Sequence, residues 1–224
     1  MVRRTKEQAQ GTRNRIIDAA EQVFHAKGVA HASLEEIAAA AEVTRGAIYW
    51  HFRDKAELFE AMMQRVMMPA EEMLGCNAVP CAGDALESLR QSACDVLLRT
   101  ARDARTRRVM DIAYNKCEYV GDAAGVRDRH IASQEQCLAA IQAAVKACIA
   151  SGQLPKSVDA RQAAIGAMSL VSGLIANWVL APKSFSLERH AENLVDTYFR
   201  GLAVPPSPAR TAPRRAPVPR RKKP

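Results

Sequence analysis

Side chains that can hydrogen-bond to DNA bases or phosphates are concentrated in residues 33–55, SLEEIAAAAEVTRGAIYWHFRDK. An arginine can donate to both O6 and N7 of guanine, and a threonine can contact the methyl group of thymine. Serine, tyrosine, histidine and lysine can donate to phosphate oxygens. A glycine within a helix suggests that a partner approaches the backbone closely. The candidate DNA contacts are Ser33, Thr44, Arg45, Gly46, Tyr49, His51 and Lys55.

The same segment predicts three helix starts. Ser33 and Glu36 have capping-box spacing, Thr44 can cap a second helix of about two turns, and Asp54 can cap a third. Two helices joined by a tight turn form a helix-turn-helix, whose second helix can enter a major groove. The aromatic residues Trp50 and Phe52 are predicted to anchor this unit in its own core.

The segment VTRGAIYWHFRDKAELF (43–59) resembles the recognition-helix region of the TetR family of transcriptional repressors. The first 29 residues resemble the first helix of that family. Residues 103–122 and 171–187 resemble the efflux-pump repressors of the AcrR and TtgR type within it. The resemblance runs from residue 1 to about residue 204, and it implies a homodimer that binds a palindromic operator.

No strand pattern of any length occurs, so we expect an all-α protein with about nine helices. We expect a helix-turn-helix DNA-binding domain at 1–54 and a larger helical ligand-binding and dimerisation domain at 55–204. Pro69 falls inside the helix that connects them and should kink or shorten it. The Pro- and Arg-rich residues 205–224 are expected to be a disordered basic tail.

The net charge of +8 resides mainly in that tail, which holds seven basic and no acidic residues. Residues 1–55 carry a net charge of +2, and residues 56–204 carry −1. The basic composition therefore does not by itself argue for a DNA-binding core. The tail fits either a solubilising role or a weak, sequence-independent hold on phosphates.

The six cysteines include no Cys-x-x-Cys pair, and the start MVRRTKEQ lacks the apolar region of a signal peptide. We therefore expect reduced thiols in a cytoplasmic protein. A redox switch between Cys76 and Cys81 is the alternative. No phosphate-binding loop, metal-ligand spacing or nucleophile motif occurs, so we expect no enzyme activity, cofactor or metal.

Residues 163–181 contain no charged side chain over nineteen positions, close to the length of a membrane span. Polar and small residues within it favour a helix buried in a protein interface, so we expect no membrane association. The last two helices are predicted to form a two-fold interface. The candidate interface residues are Gly166, Gly173, Trp178 and Phe199.

The apolar faces of the helices after residue 55 are rich in Met, Ala and Cys. This composition fits an ordinary core, and it also fits a cavity for loosely specified apolar ligands. The resemblance to the AcrR and TtgR type implies the cavity, because that subgroup binds hydrophobic drugs there. The candidate ligand-binding positions that this resemblance implies are Leu89, Val96, Met110, Ala113, Tyr114, Cys137, Ile141, Met168, Val171, Ser172 and Ile175.

Together these features predict a ligand-responsive repressor. The resemblance implies that it controls a multidrug (RND-type) efflux operon and is released from double-stranded operator DNA by a small hydrophobic inducer. Two alternatives are a constitutive DNA-binding protein without an inducer and a repressor that senses redox state through cysteines.

Overall fold

The computed structural model describes residues 6–66, 85–119 and 124–204 of the chain. These residues form nine α-helices and no strand, which confirms the predicted fold class and number of helices. Pro69, Cys76, Cys81 and the tail from residue 205 lie outside the described residues. The helices are α1 (Lys6–Lys27), α2 (Leu34–Ala40), α3 (Arg45–His51), α4 (Lys55–Gln64), α5 (Ala85–Arg102), α6 (Ala104–Asn115), α7 (Ala124–Ala150), α8 (Ala160–Leu180) and α9 (Leu187–Ala203).

The three predicted helix starts in the first 66 residues are confirmed. The Ser33 hydroxyl accepts from the Glu36 backbone N–H, and the Glu36 carboxylate accepts from the Ser33 N–H, both at 3.1 Å. Thr44 Oγ1 accepts from the Ala47 N–H at 3.2 Å, and Asp54 Oδ1 accepts from the Glu57 N–H at 2.7 Å. These bonds satisfy backbone donors that have no partner within the helix, so the local sequence sets where α2, α3 and α4 begin.

Helices α1 to α4 share a small apolar core, and we refer to them as the reading head. Ile16, Phe24, Ile37, Ile48 and Phe52 are all buried in it. The predicted core role of Phe52 is therefore confirmed. The side chains that follow Ile48 around α3 turn away from this core, since successive residues of a helix are about 100° apart.

Helices α5 to α9 form a bundle that we call the effector domain. Helix α8 contacts α5, α6, α7 and α9, and α9 lies along α5. By length and apolar composition alone, α8 is a helix that could cross a membrane. In the structure it lies instead against four other helices of the bundle, as its small and polar residues predicted.

The sequence pattern predicts a helix from Arg105 to Tyr119, whereas helix α6 ends at Asn115. The reason is tertiary. The carbonyl of Lys116 accepts from the Val29 N–H at 2.8 Å, and Lys116 Nζ donates to the His25 carbonyl at 2.7 Å. These bonds to the end of α1 and the turn after it take the place of further helical bonds.

Gly166 allows α9 to approach α8 closely. A Cβ atom at this position would lie 2.3 Å from Tyr198 Oη, and that hydroxyl donates to the Ala163 carbonyl at 2.6 Å. The ring of Tyr198 is stiff, so it can make room only by breaking this hydrogen bond.

We predict that Gly166→Ala lowers the free energy of unfolding by about 1–3 kcal/mol, the usual cost of overpacking a well-packed site. Thermal or urea unfolding measures this change. Gly11→Ala is the matched control, because nothing lies within 4 Å of a Cβ there and alanine is the better helix former. An equal or higher stability of Gly166→Ala would contradict the tight contact with Tyr198.

Candidate nucleic-acid interface and effector domain

The outer side of α3 presents a continuous exposed surface, which we call the reading face. Its members are Thr44, Arg45, Gly46, Tyr49 and Trp50. Tyr49 is 46% exposed and Trp50 is 73% exposed. A Cβ at Gly46 would come no closer than 4.0 Å to any neighbouring atom outside its helix backbone, so the backbone there is open to a partner. This face is therefore open to solvent over its whole length.

The core role predicted for Trp50 is wrong. Ile48 is the α3 side chain that faces the core, and Trp50 lies about 200° further round the helix, toward solvent. Its ring contacts that of His51 edge-to-face, with the centroids 4.5 Å apart. Placing Ile48 on the buried side of the predicted helix would have revealed this exposure from the sequence.

Arg45 is the first residue of α3 and is mostly exposed. Its Nη2 lies 2.8 Å from Glu35 Oε1, and its guanidinium carbon lies 5.8 Å from the centre of the Tyr49 ring. The Tyr49 hydroxyl, and next the Glu35 carboxylate, raise the pKa of Arg45. The guanidinium is therefore a permanent cation that stands beside an exposed aromatic ring.

Three further candidate DNA contacts have structural roles and lie close to the reading face. They are Ser33, Thr44 and His51. The two hydroxyl oxygens accept the capping bonds of α3 and α2, which leaves each hydroxyl proton to donate elsewhere. His51 is half-buried between the rings of Trp50 and Phe52. These placements are compatible with contacts to phosphate oxygens, which stay predictions.

The structure does not support the phosphate contact predicted for Lys55. Its side chain is only 8% exposed, and Nζ donates to the carbonyls of Ala30 at 3.1 Å and Ala32 at 2.9 Å. A buried ammonium needs such acceptors, so this cation ties the start of α4 to the turn before α2. The sequence carries no signal of this role, because the acceptors are backbone atoms more than twenty residues away.

An ion-pair network fastens α1 to the effector domain, and we call it the head clamp. Three side chains on α1, at intervals of four and three residues, accept hydrogen bonds. The donors are three arginines, one just after the end of α4 and two near the start of α6. The members are Asn14, Asp18, Glu21, Arg65, Arg105 and Arg108.

Glu21 is the centre of the head clamp. It is 3% exposed, and its two carboxylate oxygens accept from Arg105 Nε at 3.0 Å and Arg108 Nη1 at 2.7 Å. Asp18 also pairs with Arg105, and it accepts from Arg65 Nη1 at 2.7 Å. A carboxylate without water is costly unless cations and donors replace that water. Glu21 therefore holds α6 against α1.

The head clamp was not predicted, although parts of its pattern are visible in the sequence. Asp18 and Glu21 are three residues apart, as are Arg105 and Arg108, so each pair occupies one side of a helix. That these two sides face each other depends on the tertiary arrangement. His25 and Asp111 add a further contact at the other end of the α1–α6 contact, with Nε2 and Oδ2 3.5 Å apart.

The positions predicted to bind a ligand lie on α5, α6, α7 and α8, which pack together in the effector domain. Four are buried: Leu89, Met110, Ala113 and Ile175. Six are half-buried: Val96, Cys137, Ile141, Met168, Val171 and Ser172. Tyr114 is 39% exposed at the C-terminal end of α6. The structure thus brings most of the set to the inner sides of one bundle, and ligand binding there stays a prediction.

Thiol chemistry is suppressed at several of the described cysteines. Burial raises the pKa of the Cys117 thiol to about 11, and burial also raises the pKa values of Cys94 and Cys137. Since the thiolate is the reactive form, these groups are poor redox sensors at neutral pH. Across the described ranges, no group of three or more His, Cys, Asp or Glu side chains is placed to hold a metal ion.

The outward sides of α8 and α9 carry a stripe of small and apolar residues at helical spacing, which we call the outer stripe. Gly173 lies within it, with nothing within 4 Å of a Cβ. The members are exposed or half-buried: Ile165, Ser169, Gly173, Ala176 and Leu180 on α8, and Leu194, Thr197 and Gly201 on α9, with the larger polar His190 near the start of α9 and Val204 just beyond its end.

The other predicted interface residues lie further inside. Gly166 contacts Tyr198 of its own protomer. Trp178 and Phe199 are 7% and 4% exposed, and the Arg107 guanidinium covers the Trp178 ring at 4.9 Å. Both rings are buried, and Ile165, Leu180, Leu194 and Val204 are the larger exposed apolar side chains of the outer stripe.

Comparison with known proteins covers both parts of the chain. Residues 16–62 match the model described as bacterial regulatory proteins, tetR family. Residues 84–204 match the model described as MAATS-type transcriptional repressor, C-terminal region. The chain is 39% identical over 207 residues to the HTH-type transcriptional regulator TtgR of Pseudomonas putida, covering 92% of this chain and 99% of TtgR.

Two solved structures are similar to the whole described fold. The crystal structure of NalD, the secondary repressor of the MexAB-OprM multidrug efflux pump in Pseudomonas aeruginosa, has a TM-score of 0.78 at 32% identity and covers 88% of this chain and 98% of NalD. A complex of SmeT with triclosan has a TM-score of 0.79 at 27% identity and covers 94% of this chain and 100% of SmeT. SmeT is the repressor of the Stenotrophomonas maltophilia multidrug efflux pump SmeDEF.

We predict that Glu21→Gln lowers the free energy of unfolding by about 1–3 kcal/mol, because it leaves two arginines without their shared buried carboxylate. Glu188→Gln is the control, since that carboxylate pairs with Arg102 at 2.8 Å where both side chains are more than half exposed. Its loss should cost less than about 1 kcal/mol. Equal unfolding temperatures for the two variants would show that the head clamp stabilises the fold no more than an exposed ion pair does.

Proposed function

The chain belongs to the TetR family of transcriptional regulators, and we propose that it is a homodimeric repressor of a multidrug efflux operon, released from its operator by small apolar ligands. The observation that carries this proposal is an exposed reading face on a head that is clamped to a separate helical bundle. We assign DNA binding to residues 1–54, ligand binding and dimerisation to 55–204, and a basic tail to 205–224. We further propose that it is a cytoplasmic protein without enzymatic activity.

In this proposal α3 lies in the major groove, where the N-terminal residues of a recognition helix meet the base edges. Arg45 reads a guanine and Thr44 contacts a thymine methyl. Tyr49, Trp50 and His51 lie beside the sugars and phosphates, and Gly46 lets the backbone approach the groove. The net charge of residues 1–55 is only +2. Shape and specific hydrogen bonds must therefore supply much of the discrimination between the operator and other DNA.

The outer stripe supplies the dimer interface in this proposal. Two copies of α8 and α9 would form a four-helix arrangement around a two-fold axis. Small residues such as Gly173 and Gly201 allow the helices to approach closely, while Ile165 and Leu194 provide apolar area. A two-fold dimer implies a palindromic operator, because each reading head meets an equivalent half-site.

The ligand acts through α6, which has two functional sides. On one side, Met110 and Ala113 face the interior of the effector domain. On the other side, Arg105 and Arg108 form ion pairs with Glu21 of α1. An apolar ligand between α5, α6, α7 and α8 would therefore displace the helix that holds the reading head. Helix α4 offers a second route, since its Met62 is buried and Arg65 beyond its end belongs to the head clamp. A ligand shifts this equilibrium only by its different affinities for the two arrangements.

Two other functions make different predictions. A constitutive DNA-binding protein would have a filled effector domain and no ligand response. A redox-sensing repressor would respond to oxidant, and Cys76 and Cys81 are the candidate pair for it. The raised pKa values of Cys94, Cys117 and Cys137 count against those three thiols as sensors.

We predict that apolar drugs raise the unfolding temperature of the protein, because binding to the folded state stabilises it. Thermal shift against a panel of antibiotics, dyes and flavonoids, with triclosan included, measures this with and without reductant. Shifts independent of reductant support the drug-responsive repressor. A protein indifferent to the whole panel would fit the constitutive alternative, and a response only to oxidant would fit the redox alternative.

We predict that Arg45→Ala weakens binding to operator by about 1–3 kcal/mol, while binding to a scrambled duplex of the same composition changes much less. The operator is a duplex selected from a random pool for tight binding, which we call the selected operator. Fluorescence anisotropy at several salt concentrations separates the two effects. Equal losses on both duplexes would remove Arg45 from base reading and leave it a phosphate contact.

We predict that Gly173→Arg yields monomers that have lost most of their operator affinity. The open space at Gly173 accommodates the new side chain within the protomer, so the variant should fold and only a partner on the outer stripe should be displaced. Light scattering after size-exclusion chromatography measures the mass. Gly11→Arg is the control, because Gly11 is equally open but lies on α1. A dimeric Gly173→Arg would place the interface elsewhere.

A further inference from the structure

We propose that Glu35 is a positioning residue for base recognition: it holds the Arg45 guanidinium in its reading orientation and opposes binding to DNA that lacks the matching base. This inference rests on the proposed role of the reading face in DNA binding, and it adds a determinant of specificity outside α3.

Glu35 and Arg45 join the two helices of the helix-turn-helix. Glu35 is the second residue of α2, Arg45 is the first residue of α3, and their Oε1 and Nη2 atoms lie 2.8 Å apart. The Tyr49 ring stands on α3 beside the same guanidinium, 5.8 Å from its central carbon. Arg45 is thus restrained by one group from each of the two helices.

The restraint leaves the guanidinium able to read a base. Arginine has five N–H donors in a planar fork, and a guanine needs two of them. The Arg45 and Glu35 side chains are 68% and 49% exposed, so the donors that Glu35 does not use remain open to a partner. A long side chain that is already oriented loses less rotamer freedom when it binds.

The Glu35 carboxylate has opposite effects on matched and unmatched DNA. On a matched site, guanine and Glu35 can share the guanidinium, so the carboxylate keeps its cation. On unmatched DNA, a phosphate that draws Arg45 away leaves Glu35 unpaired near a polyanion, which is unfavourable. Glu36, its neighbour, has a different task, because it completes the capping box of α2 and pairs with Lys27.

The test compares wild type, Glu35→Gln, Arg45→Ala, the double variant and Glu42→Gln on the selected operator and the scrambled duplex. Glu42 is an exposed acidic residue in the turn of the same helix-turn-helix, so Glu42→Gln controls for the loss of one negative charge. Glutamine at 35 leaves the Ser33–Glu36 capping box unchanged. Unfolding temperatures of all variants confirm that the head stays folded.

Glu35→Gln should lower the ratio of operator affinity to scrambled affinity by about two- to fivefold, the range expected for an exposed ion pair. Part of this decrease in the ratio should come from tighter binding of Glu35→Gln to the scrambled duplex. Glu42→Gln should change both affinities by the same factor. In the Arg45→Ala background, Glu35→Gln should leave the ratio unchanged, because the two residues act as one unit.

Each other outcome is decisive. If Arg45→Ala lowers the ratio but Glu35→Gln behaves like Glu42→Gln, or raises the ratio, the positioning role of Glu35 is wrong and the proposed function stands. If Arg45→Ala leaves the ratio unchanged, base reading by Arg45 fails, and the role of Glu35 fails with it.

Discussion

A carboxylate buried beneath two arginines fastens α1 of the reading head to α6 of the effector domain. Glu21 on α1 is almost inaccessible to solvent, and Arg105 and Arg108 on α6 supply the donors that water would otherwise supply. The reading head cannot move away from α6 without separating the Glu21 carboxylate from its arginine partners. The orientation of α3 relative to the effector domain therefore depends on this contact, together with the bonds from Lys116 to the end of α1 and the turn after it.

The proposed function depends on the position of α6 between the two regions. One side of the helix contributes to the apolar interior, and the other side binds α1. In the proposed mechanism, a change in the interior therefore reaches the reading face through α6, with α4 as a second route. Buried interiors are densely packed and respond to an added guest by shifting whole helices. In the proposed complex with DNA, a head of modest charge needs Arg45, Thr44 and their neighbours to be held accurately, and it needs the two heads of the dimer at a fixed separation.

Much of the reading head could be predicted from the sequence because its signals are local. The caps at Ser33, Thr44 and Asp54 act within one helical turn. The exposure of Trp50 could also have been predicted, by placing Ile48 on the buried side of α3. The roles of Lys55 and the head clamp could not, because they depend on backbone carbonyls distant in the chain and on how α1 and α6 are aligned. The predicted ligand positions came from resemblance, and most of them lie on the inner sides of one bundle.

The central claim is that ligand and operator compete through the arrangement of α6 and the reading head. The most direct test is a calorimetric titration of the panel compound with the largest thermal shift into the protein, alone and saturated with the selected operator. We predict that operator weakens ligand binding by about 5- to 150-fold, and that the ligand weakens operator binding by the same factor. Identical ligand affinities in the two titrations would contradict it, even if both partners bind.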